Sequence, residues 1–149
     1  MGKYVAIRMI ILKRGEDPVG FQTWMTKPCG FLDTMWNTFK GHDLKAITFL
    51  KGYDQDRPSP GRNRKNSKAA GANVNFAWIT YWTDKQTNED AWRSAPRTTV
   101  WLNLWKEFMA KCFPPPGQPP KGPPYDYHAF KKGAGSLVAG FEEVWSKDS

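Results

Sequence analysis

The 149 residues are enough for one domain and too few for two ordinary ones. Apolar residues make up 40% and aromatics 15%, with 8 Trp and 9 Phe, which excludes low-hydrophobicity disorder over most of the length. A net charge of +8 favours an anionic partner, and two cysteines exclude both a disulfide framework and a four-cysteine zinc site.

Lys3 to Lys13 is aliphatic and β-branched and predicts a first strand, its apolar run broken by Arg8. That run is too short to span a bilayer and carries no small-residue cleavage site, so the chain is expected to be soluble and cytoplasmic, with no membrane partner. Arg14-Gly15-Glu16-Asp17-Pro18 reads as a turn. From Phe21 to Phe39 the chain reads as helix, with Leu32, Met35, Trp36 and Phe39 forming one apolar stripe. Pro28 and Gly30 predict a break in it near Lys27.

Leu44 to Tyr53 predicts a second strand. Residues 56–72 then form a basic loop, in which Arg57 to Lys68 holds five cations and no acid. Its Pro, Gly, Ser and Asn content makes it a solvated loop, or one that contacts phosphate or nucleic acid.

Asn73 to Thr83 predicts the third strand. Val74, Phe76, Trp78, Thr80 and Trp82 fall on one face, and Asn73, Asn75, Ala77, Ile79 and Tyr81 on the other. Thr87-Asn88-Glu89-Asp90 reads as the cap of a short helix ending near Ser94, because Pro96 forces a break. Thr98 to Cys112 predicts a further helix through Trp101, Leu104, Trp105 and Phe108. Residues 113–124 hold seven prolines and form an extended strap, and Ser136 to Trp145 predicts a fourth strand.

The predicted order is β-α-β-β-α-α-β, an α+β chain with a ferredoxin-like four-stranded antiparallel sheet and helices on one face. Both faces of the third strand carry large side chains, so the second face is expected to be covered, by a second copy of the chain or by a ligand pocket. The element order and the stretch NVNFAWITYWTDKQTNEDAWRSAPRTTVWLNLWKEF resemble the dimeric α+β barrel superfamily, most closely its monooxygenase-like members. The resemblance covers about residues 3–112 and Ser136 to Trp145. It implies a homodimer whose two sheets form a barrel, with a pocket in each protomer between sheet and helices. The activities it implies are oxidation or cyclisation of polyketide-derived compounds, dehydration, haem degradation and lactone isomerisation.

His128, flanked by Tyr125, Asp126 and Tyr127, and His42, beside Asp43, are the two groups able to exchange a proton near neutral pH. Each is a candidate general base; each is also compatible with an ordinary surface or structural role. Tyr81, Asn75 and Tyr127 are candidate hydrogen-bonding partners for a substrate, with Trp24, Trp78 and Trp82 as its apolar walls and Arg97 as a site for an anionic group. Arg93 pairs with a ligand or with Glu89 and Asp90. No metal-ligand spacing, phosphate loop, G-x-S-x-G elbow or paired-cysteine motif is present.

The expected function is therefore a metal-free, cofactor-independent enzyme of secondary metabolism acting on an apolar, aromatic or polyketide-derived molecule. Its chemistry would be proton abstraction with oxygenation, cyclisation or dehydration. The alternative is a nucleic-acid-binding module using the Arg57 to Lys68 loop and an aromatic sheet face.

Overall fold

The structure, a computed structural model, describes residues 4–13, 15–52, 74–94, 98–112 and 141–148. Strand β1 (Tyr4–Ile10) is followed by helices α1 (Pro18–Thr26) and α2 (Phe31–Phe39). A 3-10 turn (Lys40–His42) leads into β2 (Ala46–Gly52), and β3 (Phe76–Trp82), α3 (Lys85–Ser94), α4 (Thr99–Lys111) and β4 (Phe141–Asp148) complete the order. The basic loop and the proline strap lie outside the described residues.

The four strands form one antiparallel sheet in the order β1-β3-β2-β4. The α+β expectation is thus met. The ferredoxin-like order is not, since there the last strand lies beside the first, whereas β4 here pairs along the outer edge of β2. The other edge, that of β1, carries no further strand among the described residues.

Cross-strand register sorts the side chains cleanly. Arg8, Trp78, Phe49 and Trp145 stand in one row, with Ala6, Thr80, Ile47 and Lys147 beside it. These residues face the helices. A register shift opposite Phe49 and Leu50 lets both Val144 and Trp145 pack against the core, which a regular alternating strand would forbid.

Phe31 is the hub of the helix-side core. Its ring centroid lies 5.0 Å from Phe108, 5.5 Å from Trp24 and from Trp101, and 5.7 Å from Trp78. Leu32, Met35, Trp36 and Phe39, the predicted stripe, are all buried on the same side. Thr80 is the one buried polar residue of the described core, and its hydroxyl oxygen accepts a 2.8 Å bond from the Trp82 indole N–H.

Local chemistry fixes the helix ends. The Asp17 carboxylate accepts from the Val19 and Gly20 amides, and Pro18 occupies the first helical position, so the Asp-Pro pair that reads as a turn is a helix start. α1 ends at Lys27, where the break was expected. Asp84, rather than Thr87, begins α3: its carboxylate accepts from the Thr87 amide at 2.7 Å. Thr98 caps α4 through its hydroxyl and the Trp101 amide. β4 is described from Phe141 to Asp148, three residues past the predicted end at Trp145, and the predicted start at Ser136 lies outside the described residues.

Candidate functional site

β3 carries Trp78 and Trp82 to the helix side, where both are buried, and Tyr81 to the opposite face, where it is half-buried. Trp24 of α1 is also on the helix side, tilted against Phe21 and Phe31, with the Lys111 ammonium 5.2 Å above its ring. Trp24 and Trp78 therefore share one aromatic layer, through Phe31, while Tyr81 belongs to the other side of the sheet. Arg97, Tyr127 and His128 lie outside the described residues.

Asn75 works as a strand clamp. Its side-chain oxygen accepts from the Leu12 amide at 2.9 Å, its own amide donates to Ile10 O at 2.9 Å, and its carbonyl accepts from the Gly52 amide at 2.8 Å. It ties the ends of β1 and β2 to β3. Tyr81 is six residues further along, roughly 20 Å at the rise of an extended strand. The two are not brought together around one ligand atom.

His42 ends the 3-10 turn and is half-buried. The carboxylate beside it, Asp43, pairs with the Lys45 ammonium and accepts from the Thr83 amide at 3.2 Å. Those partners, the Lys45 hydrogen bond first, hold the Asp43 carboxyl below its usual range. Arg93 pairs with Asp90 at 3.5 Å and Glu89 at 3.9 Å, along its own helix.

Among the described residues no helix or strand covers the outward face of the sheet. Val5, Ile7 and Met9 of the edge strand β1 are 45%, 60% and 59% exposed, against the rule that such side chains are buried. Their cross-strand neighbours are Tyr81, Ile79 and Ala77, and beyond those Ala46, Thr48 and Leu50 of β2. This is a largely apolar surface, and among the described residues it carries the rings of Tyr81 and, opposite Gly52 at its β4 side, Phe141. At its β2–β4 side a shallow groove of about 370 Å³ is lined by Lys45, Thr48, Tyr81, Ser146, Lys147 and Asp148, among others. Tyr81 thus stands where apolar sheet meets polar groove.

A residue that sequence reading passed over lies on the opposite, helix side. The Arg8 guanidinium sits 5.5 Å from the Trp78 ring centroid and 5.3 Å from that of Trp105. The signal was its parity: Tyr4, Ala6, Arg8 and Ile10 share one side of β1, and Arg8 is the charge in that inward row.

Among the described residues no three His, Cys, Asp or Glu side chains gather as a metal site, and no helix is long and apolar enough to cross a membrane. No protein-family model matches the chain, and no curated protein or solved structure matches it significantly.

Proposed function

We propose that the protein pairs with a second copy through the open face of its sheet, and that the pair is a small enzyme acting on an apolar, aromatic or polyketide-derived molecule. The observation that carries the reading is the bare apolar row Val5, Ile7 and Met9 beside Ile79 and Leu50. Exposed apolar side chains in a contiguous patch mark an interface, and a twisted sheet is self-complementary to its own copy. This is the pairing that the dimeric α+β barrel resemblance implies.

In this reading the substrate lies against the aromatic layer between sheet and helices, beside the half-buried rings of Trp24 and Trp105. The chemistry is proton abstraction by His42 or His128, followed by oxygenation, cyclisation or dehydration. Tyr127 is the hydroxyl group proposed to orient the substrate; Tyr81, on the opposite face, and Asn75, engaged between the strands, support the sheet instead. No nucleophile motif is required, since enclosure, orientation and one proton transfer supply the rate.

A nucleic-acid-binding sheet would offer stacked aromatic rings ringed by cations. The centre of this face is aliphatic, Val5, Ile7, Met9, Ile79 and Leu50, with Tyr81 and Phe141 at its sides, which supports self-association instead. Sedimentation of wild type and Ile7→Asp tests the pairing: the wild type is expected to run as a dimer and the variant as a monomer. A monomeric wild type overturns it. Oxygen uptake and product formation with a polycyclic phenol, compared between wild type, His42→Ala and His128→Ala, test the chemistry. Turnover that neither substitution reduces removes both histidines as bases.

A further inference from the structure

Arg8 differs from the other described cations in its aromatic setting rather than in its exposure, since the residue as a whole is exposed to solvent. Lys45, Lys85, Arg93, Lys111 and Lys147 each pair with a carboxylate. Arg8 lies over two indoles and has no carboxylate partner among the described residues. The ionisable group nearest in effect is Cys112, and burial pushes that thiol up to about 12, so it stays neutral and offers Arg8 no counter-charge. The neighbouring rings desolvate the guanidinium enough to lower its pKa, yet the residue is exposed to solvent. The guanidinium is thus backed by aromatic rings and reachable from outside.

Stacking on indole offsets part of that desolvation and leaves the in-plane N–H donors without a carboxylate partner among the described residues. Those donors form a planar fork that matches a carboxylate with two parallel hydrogen bonds. The floor beneath the fork is aromatic: Trp78 is buried, and Trp105 is half-buried and leans on Phe108 at 5.4 Å. β1 is an edge strand, so no further strand among the described residues closes the site from its outer side.

We propose that Arg8, with Trp78 and Trp105, is a binding site for the carboxylate of a planar aromatic acid, the carboxylate taken by the guanidinium fork and the ring lying along the Trp105 indole. The site is on the helix side of the sheet. It goes beyond the pairing reading and does not depend on it, because a monomer holds all three side chains.

Calorimetric titration of the full chain with 2-naphthoate tests the proposal, with 2-naphthamide as the neutral analogue and inorganic phosphate as the non-aromatic anion. Wild type is expected to bind 2-naphthoate saturably and the amide roughly tenfold or more weakly, the usual loss when a charge-assisted bond is removed. Arg8→Met keeps the length and apolar stem of the side chain and should lose a similar factor; Arg8→Lys, with charge but no fork, should fall between. Equal binding of acid and amide overturns the proposal, as does the absence of saturable binding to wild type. Phosphate binding as tightly as naphthoate also overturns it, by showing a general anion site without an aromatic component. The acid–amide comparison on wild type decides the matter even if Arg8→Met does not fold. Sedimentation of the same samples separates this outcome from failure of the dimer.

Discussion

Gly30 lies so close under Lys27 that a methyl group there would stand 2.8 Å from the Lys27 carbonyl oxygen and 3.0 Å from that of Trp24. Both atoms are backbone and cannot swing away. The approach closes the elbow between α1 and α2, with the Gly30 amide donating to Lys27 O at 2.9 Å. That elbow sets Phe31 into the core one residue later. Gly30→Ala should therefore cost about 1–3 kcal/mol, as overpacking does, measured by urea denaturation. Its neighbour gives the opposite sign. Cys29 holds φ at 57°, the left-handed region that disfavours side chains, and Cys29→Gly should gain about 0.5 kcal/mol after the added chain entropy is subtracted. A silent Gly30→Ala would mean the elbow is not held at this spacing.

The core prediction follows from Phe31 itself. It is fully buried and its ring lies within 6 Å of Trp24, Trp78, Trp101 and Phe108. Phe31→Ala should cost about 3–5 kcal/mol, a large part of the stability of any domain this size. Phe31→Leu should retain most of the fold. A loss under about 1 kcal/mol for the alanine variant would show that the aromatic layer collapses around the gap.

Much of this layer was legible in the sequence, because helical spacing is a local property. Leu32, Met35, Trp36 and Phe39 are buried as their i, i+3, i+4, i+7 spacing requires. Trp101 and Phe108 are buried on α4, while Leu104 and Trp105 on the same stripe are only partly covered. Strand parity separated Trp78 and Trp82 from Ile79 and Tyr81 for the same reason. What depended on pairing between distant segments was not legible. The position of β4 beside β2, the clamp made by Asn75, and Arg8 standing opposite Trp78 all require the register of one strand against another. Asp17-Pro18 was readable in principle, as a capping residue followed by proline at the first helical position, but the preceding glycine made it read as a turn.

Asp43 gives the pH prediction. Its folded pKa is depressed, by the Lys45 hydrogen bond first and then by Thr83, so the stability it contributes is present above the unfolded carboxylate value of about 3.9 and is lost as pH falls through the lower folded value. Asp43 is half-buried but the side chain of its partner Lys45 is partly exposed, so solvent screening should keep the effect small, a few tenths of a kcal/mol. Urea midpoints of wild type and Asp43→Asn should differ by a constant amount near neutral pH and converge below about pH 4. Asparagine tolerates the left-handed φ of 76° at this position, so the comparison isolates charge. A difference that persists unchanged at pH 2 would assign the effect to shape instead.

The two thiols should separate by reactivity. Cys29 is exposed at the α1–α2 elbow, whereas Cys112 is buried at the end of α4, bridged to Leu12 of the opposite segment, and burial holds its thiol at about 12. Only the thiolate attacks an aromatic disulfide reagent, so at pH 8 Cys112 is unreactive for two reasons, access and charge. Native protein should release one equivalent of chromophore quickly, and the second only on the timescale of unfolding or in denaturant. Replacing Cys29 by Ser should remove the fast phase and leave the slow one. The rate of that slow phase then reports how often the Leu12–Cys112 bridge opens. Fast labelling of Cys112 in the folded protein would mean that α4 and the end of β1 part readily, and the Trp105 wall beside Arg8 would then be a moving one.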